Sequence, residues 1–125
     1  MKKQYKKAAT KKIYYSIFDV VTAPDGSDNE WDVMFFISGD KKDVDQDSSL
    51  THKDLKKILS PHFKGEQSPP HFYDESSRNL YTARVQSQER AERLASELVY
   101  IFEQGGFSPM MDDARRYRPQ APKKS

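Results

Sequence analysis

Residues 80–109 read LYTARVQSQERAERLASELVYIFEQGGFSP, and this stretch decides the fold. Its first six residues place Tyr81, Ala83 and Val85 on one side of an extended chain, which is typical of a half-buried strand. The following residues predict a long helix, because their apolar side chains recur at helical spacing and form one stripe. That stripe consists of Ala91, Leu94, Ala95, Leu98, Ile101 and Phe102.

Both ends of the predicted helix carry clear signals. Ser87 offers a hydroxyl that can cap the first turn. The pair Gly105-Gly106 ends the helix, because glycine adopts the left-handed backbone conformation without strain. A return strand is then predicted from Phe107 onward. The polar side of the helix, which we expect to face solvent, is formed by Arg90, Arg93, Ser96 and Glu97.

The rest of the chain adds three strands and a second helix. Residues 13–22 and 31–38 alternate around a turn-rich segment and predict an antiparallel hairpin. Residues 51–60 predict a short helix stopped by Pro61, and residues 71–73 a brief strand that follows a linker. The first strand is apolar on both sides, with Ile13, Tyr15 and Ile17 on one side and Tyr14, Phe18 and Val20 on the other.

The order of these elements indicates the fold class. A β-β-α-(β)-β-α-β succession is typical of an α+β protein. We predict a single small domain with a mostly antiparallel sheet of four or five strands and both helices on one face. The nearest common architecture is the ferredoxin-like sandwich, to which the chain is similar by analogy of layers alone.

The net charge of +2 conceals a division along the chain. Residues 1–12 hold six lysines and no acid, and residues 112–125 hold five basic and two acidic side chains. Residues 13–111 hold ten basic and seventeen acidic side chains, a net charge of −7. We therefore predict an acidic folded domain over 13–111, with a basic flexible arm before it and a basic flexible tail after it.

Composition also limits the class of protein. The absence of cysteine excludes a disulfide framework and thiolate metal sites. No apolar run is long enough to cross a membrane or to serve as a signal peptide. We expect a cytoplasmic protein with no membrane partner and no cofactor.

One hypothesis is that the basic ends bind nucleic acid. Lysine and arginine neutralise phosphates without reading sequence, and exposed tyrosines of the sheet (Tyr14, Tyr15 or Tyr81) would stack bases. The acidic domain between the ends counts against this hypothesis. The predicted nucleic-acid-binding residues are Lys2, Lys3, Lys6, Lys7, Lys11, Lys12, Arg115, Arg116 and Arg118.

The alternative hypothesis is that the acidic domain docks a basic protein partner, as a small regulator or inhibitor would. Its interaction residues would be Asp40, Asp43, Asp45 and Asp47. The last three begin a run that resembles an EF-hand calcium loop, but serine replaces the glycine of the sharp turn and Asp54 replaces the bidentate glutamate. We expect a solvated acidic loop that binds no metal.

A second alternative is a small hydrolase or nuclease that uses His62 and His71, which flank the predicted linker. Two histidines beside a carboxylate suit acid–base chemistry. However, their spacing matches no local ligand pattern, and the chain has no phosphate-binding glycine loop and no nucleophile elbow. The sequence therefore favours a non-enzymatic binding or regulatory module.

Overall fold

A computed structural model describes residues 13–23, 29–38, 52–67, 69–74, 80–110 and 116–122. Within these ranges the chain forms five strands, two α-helices and one 3₁₀ turn. In chain order, the elements are β1 (Tyr14–Thr22), β2 (Trp31–Ser38), α1 (His52–Leu59), the 3₁₀ turn (Ser60–Phe63), β3 (His71–Asp74), β4 (Leu80–Val85), α2 (Gln88–Gln104) and β5 (Ser108–Pro109).

The five strands form one mixed sheet in the order β3-β4-β2-β1-β5. The three pairs among β3, β4, β2 and β1 are antiparallel, and β5 pairs in parallel with the start of β1. The predicted α+β class with a mostly antiparallel sheet is confirmed. The ferredoxin-like sandwich stays an analogy, because a hairpin precedes the first helix here and the sheet has a fifth strand.

A β-bulge in β1 corrects the predicted facing of that strand. The register shifts between Ile17, which opposes Phe35, and Asp19, which opposes Met34. One extra residue on a strand turns the following side chains to the opposite face. Val20 therefore packs toward the core, on the same face as Ile17. Alternation alone had predicted that Val20 shares a face with Phe18, and this prediction is wrong.

The core lies between the sheet and the two helices. The predicted α2 stripe is buried throughout, including Leu98 at its centre. The hydroxyl of Ser87 accepts a hydrogen bond from the Arg90 amide at 3.0 Å, as the capping prediction requires. At the other end, Gly106 has a φ of +91°, and the Phe107 amide donates to the Phe102 carbonyl. This Schellman arrangement turns the chain into β5.

The segment after α1 is more ordered than the sequence predicted. Leu55 and Leu59 of α1 enter the same core as the α2 stripe, so both helices cover one face of the sheet. Pro61 does not end helical structure, because proline fits the first turn of the 3₁₀ segment that follows. Phe63, predicted as part of a linker, is buried at the end of that turn.

Residues 116–122 lie against the domain, although the sequence placed them in a flexible tail. The Arg116 guanidinium donates to the Phe18 carbonyl at 2.8 Å, and Tyr117 packs on the core. The Gln120 amide donates to the Ser96 carbonyl of α2 at 3.2 Å. These contacts hold the C-terminal segment beside β1 and α2.

Candidate binding groove

A groove of about 840 Å³ separates β3 from the segment formed by α1, the 3₁₀ turn and the residues after it. Two aromatic rings meet at its base, where Phe63 and Phe72 have centroids 6.1 Å apart. Pro69 and Pro70 line it before β3 begins. Concave apolar surfaces with a few polar groups are typical of ligand sites. The remaining lining residues are Lys56, Ser60, Pro61, Lys64, Gly65, Glu66, His71 and Tyr73.

The groove runs along the edge of the sheet. His71, Phe72 and Tyr73 all line it, although neighbouring residues of a strand point to opposite faces. A groove in contact with all three therefore follows the strand's edge. Among the described residues, β3 pairs with β4 alone. An edge strand of this kind presents backbone donors and acceptors to a further strand.

The rim of the groove is basic. Lys56 and Lys64 are exposed and make no ion pair within the described ranges. The one carboxylate in the lining, Glu66, is already neutralised, because Arg90 Nη2 donates to both of its oxygens at 2.9 and 3.0 Å. The uncompensated charge at this rim is therefore positive, in contrast to the acidic domain as a whole.

A buried charge network supports the wall that carries Glu66. Arg90 bridges two carboxylates, because its Nη1 also donates to Glu97 Oε1 at 2.9 Å. The same guanidinium lies 5.8 Å from the ring centroid of Phe63. Arg93 Nε lies 3.4 Å from Glu97 Oε2, an ion pair without hydrogen-bond geometry. Arg90 thus ties α2 to Phe63 at the end of the 3₁₀ turn and to Glu66 just after it.

Glu97 was predicted on the solvent side of α2, and this prediction is wrong. Its side chain is fully buried, because the segment after the 3₁₀ turn packs over that side of the helix and brings Glu66 to Arg90. Burial raises the pKa of Glu97 above its ordinary value of 4.5, since the lost hydration outweighs the positive charges of Arg90 and Arg93 and the hydrogen bond from Arg90.

On the face of the sheet opposite the two described helices, Arg84 and Asp32 form a bidentate pair across β4 and β2. Arg84 Nε and Nη2 donate to the two Asp32 oxygens at 2.8 and 3.0 Å. The guanidinium also lies 5.8 Å from the ring centroid of Tyr73. Tyr73 is 45% exposed and is the large apolar residue most open to solvent among the described ones. The planar fork of arginine suits both contacts.

The structure changes which tyrosines are accessible for base stacking. Tyr15 and Tyr81 are buried in the core and cannot stack on a ligand, because their positions face the helices. Tyr14 is partly exposed. Tyr73, which the sequence did not single out, is the exposed ring beside the groove.

Most of the predicted site residues lie outside the described ranges. Arg118 is exposed, and Arg116 is exposed but already bonded to the Phe18 carbonyl and placed over the ring of Tyr117. The nucleic-acid and protein-interaction predictions therefore stay predictions. The residues outside the described ranges are Lys2, Lys3, Lys6, Lys7, Lys11, Lys12 and Arg115 of the basic set, with Asp40, Asp43, Asp45 and Asp47 of the acidic set.

The two histidines of the hydrolase hypothesis are placed differently. His71 lines the groove and its ring lies 6.4 Å from that of Tyr73, whereas His62 does not line the groove. Within the described ranges, no group of three or more His, Cys, Asp and Glu residues could hold a metal ion. The groove therefore does not bring His62 and His71 together, and the hydrolase hypothesis stays a prediction.

Sequence reasoning missed the groove for a physical reason. Its walls come from a segment read as a linker and from a strand of four residues, and their approach depends on the pairing of Arg90 with Glu66 twenty-four positions earlier. Local periodicity does not report such a contact. One signal was present in the sequence: Phe63 and Phe72 bracket a proline-rich segment, and rings at both ends of such a segment can meet.

Comparison of the chain with protein-family models, curated proteins and solved structures finds no match in any of the three. Neither helix within the described ranges has the length and apolar character needed to cross a membrane.

Proposed function

We propose that this protein is a non-enzymatic binding module whose ligand site is the groove between the 3₁₀ turn and β3. The observation that carries the proposal is the combination of an aromatic and prolyl base with an uncompensated basic rim. Such a site holds a ligand by apolar contact and orients it by charge. The described lining does not bring His62 and His71 together, and its aromatic, prolyl and basic side chains support binding.

The packing of the groove walls supports the same proposal. Phe63 and Phe72 belong to or pack on the core, and Arg90 fixes Glu66 from α2. A preformed site loses less conformational entropy when it binds than a site that must first become ordered. The groove is therefore suited to recognition of a ligand with a defined shape.

The test uses an anionic aromatic probe, 8-anilinonaphthalene-1-sulfonate, which matches the groove in both apolar and charged character. We expect saturable shifts in the amide NMR spectrum of the full chain, confined to Lys56, the non-proline residues of 60–66 and residues 71–73, which lie at or next to the groove lining. Ser60→Trp should abolish these shifts, because Ser60 is an exposed residue of the lining and a large ring at this position would fill the groove. Gln104→Trp, at the exposed end of α2, is the matched control and should bind normally. Shifts elsewhere, or unaffected binding by Ser60→Trp, would contradict the proposal.

A second candidate function is weak polyanion binding through the basic ends, and its support is the charge division. The net charges of +6 over residues 1–12 and +3 over residues 112–125 favour binding to phosphates at low salt. Because Tyr117 packs on the core, the C-terminal charges should be removed by substitution and not by truncation.

The corresponding experiment compares the full chain with a variant that lacks residues 1–12 and carries Arg115→Gln, Arg116→Gln and Arg118→Gln. Fluorescence anisotropy with one RNA and one DNA oligonucleotide at two salt concentrations reports the affinity. We expect log K of the full chain to fall with log salt by about 0.9 for each phosphate contact. Equal binding by the variant would place the affinity on the domain itself.

A further inference from the structure

Two features define the kind of ligand that the groove would take: the outer edge of β3, which no described strand covers, and the basic rim beside it. We propose that the groove binds an extended acidic peptide segment, which adds to β3 as a sixth strand of the sheet. This inference rests on the proposed function of the groove and names its partner. Strand addition supplies affinity through backbone hydrogen bonds, and pockets for alternate side chains supply specificity.

The geometry provides the two elements that strand addition requires. The first is an edge strand that lies at the end of the sheet, as β3 does within the described ranges. The second is a pocket next to that edge. The groove touches three consecutive residues of β3, so a strand laid along the edge occupies it directly. Alternate side chains of that strand then point toward the apolar base at Phe63 and Phe72.

The sign of the charge selects an acidic peptide. Lys56 and Lys64 stand on the opposite wall from β3, and no carboxylate of the described residues pairs with them. Glu66 does not offset them, because Arg90 holds both of its oxygens. Carboxylates spaced two residues apart on the peptide would face these lysines while the residues between them enter the pocket.

Binding to a single-stranded nucleic acid is the competing class, because lysines and an exposed ring also suit phosphates and bases. Two observations favour the peptide. Only Tyr73 offers an exposed face among the large rings of the lining, since Phe63 is buried and Phe72 packs on the core. An unpaired strand edge also matches the regular spacing of donors and acceptors along a peptide backbone, which a nucleic acid does not have.

The experiment measures the affinity of the full chain for a fluorescein-labelled peptide of about eight residues, near the usual length of a strand, in which glutamate alternates with valine. Its counterpart has lysine in place of glutamate, and a single-stranded oligouridylate represents nucleic acid. We expect the acidic peptide to bind and the other two to bind at least about tenfold more weakly, since they reverse the charge or lack the backbone donors.

Charge-reversal variants locate the binding. Lys56→Glu combined with Lys64→Glu should weaken the acidic peptide at least about tenfold, because attraction becomes repulsion at both sites. Lys53→Glu combined with Lys57→Glu is the matched control: it makes the same charge change at exposed lysines of α1 that do not line the groove. The control should change the affinity by less than about threefold, as screening over roughly 8 Å predicts. Equal effects of the two variants would overturn the inference.

Backbone methylation tests the strand itself. Two versions of the acidic peptide carry N-methyl groups on alternate residues, one set on each edge of the strand. One version should lose binding and the other should keep it, because only one edge can pair with β3. If both versions bind or both fail, strand addition is wrong. Binding of the sulfonate probe without any peptide binding would reject the peptide while leaving the groove as a ligand site; loss of both would reject both.

Discussion

At the β1 edge of the sheet the chain covers its own strand, whereas at the β3 edge the described residues leave the strand bare. The amides of Ser108 and Met110 donate to carbonyls at the start of β1, and Arg116 bonds to the Phe18 carbonyl farther along. No comparable contact occupies β3 within the described ranges. The described residues therefore complete the β1 edge and leave the outer edge of β3 without a partner strand.

This difference between the two edges indicates where to test for binding. Exposed edges invite aggregation, and proteins usually cover, charge or shorten them. Here β3 is short, and Lys56 and Lys64 stand across the groove from it. Both features discourage pairing with unselected strands and leave pairing with a strand of complementary charge favourable. Under the proposed function, the β3 edge would bind a strand of complementary charge and disfavour other strands.

The largest expected loss of stability follows from a substitution in the charge network that supports the groove wall opposite β3. Arg90→Met would leave the buried carboxylate of Glu97 without its hydrogen-bonded partner and free Glu66 from its anchor. Removing one member of a buried ion pair costs about 3–5 kcal/mol. Urea unfolding of the variant should show this loss. Arg93→Met is the matched control and should lose less, because Arg93 is more exposed and not hydrogen-bonded to Glu97.

The next effect applies to both edges, because both depend on the same core. Leu98 is fully buried in the middle of α2, and Leu98→Ala should cost about 2–5 kcal/mol in the free energy of unfolding. Glu92→Ala, at an exposed position of the same helix, should change it by no more than about 0.5 kcal/mol. A similar loss in the two variants would mean that the stripe is assigned to the wrong face.

A smaller effect is expected at the covered edge. Arg116→Ala removes the hydrogen bond to the Phe18 carbonyl and should cost about 1 kcal/mol, the usual net value for a hydrogen bond. Arg118→Ala, two residues later and exposed, is the control and should leave the free energy of unfolding unchanged. Equal losses in thermal or urea unfolding would show that Arg116 acts through charge alone and does not hold the segment.

The smallest effect concerns the pH dependence of stability. The pKa of Glu97 is raised in the folded protein, so the folded state binds this proton more tightly than the unfolded state does. The resulting stabilisation is complete below pH 4.5 and is lost as the pH rises from 4.5 through the raised pKa. Glu97→Gln cannot titrate. The free energy of unfolding of the wild type minus that of the variant should therefore be constant below this window and decline with pH across it. Urea titrations at successive pH values measure the difference, and an increase with pH would contradict the assignment.

The fold was largely predictable from the sequence, because its main signals are local. The α2 stripe around Leu98 and the Ser87 cap depend on residues a few positions apart. Two features escaped prediction because they are not local. The bulge after Ile17 depends on pairing with β2, and the burial of Glu97 depends on a partner network that reaches Glu66. The groove depends on the second of these, and periodicity alone predicted one of its walls, within residues 62–70, as a linker.

Amide hydrogen exchange tests the contrast between the two edges most directly. In the free full-length chain, the outward-directed amides of β3 should exchange rapidly, whereas the Ser108 and Met110 amides should be protected by their bonds to β1. Saturating acidic peptide should slow the β3 amides at least about tenfold, the effect of a new hydrogen-bonded partner, and leave Ser108 and Met110 unchanged. Slow exchange of the β3 amides before any peptide is added would contradict the proposed strand addition. So would a peptide that slows exchange at Ser108 and Met110 and not at β3.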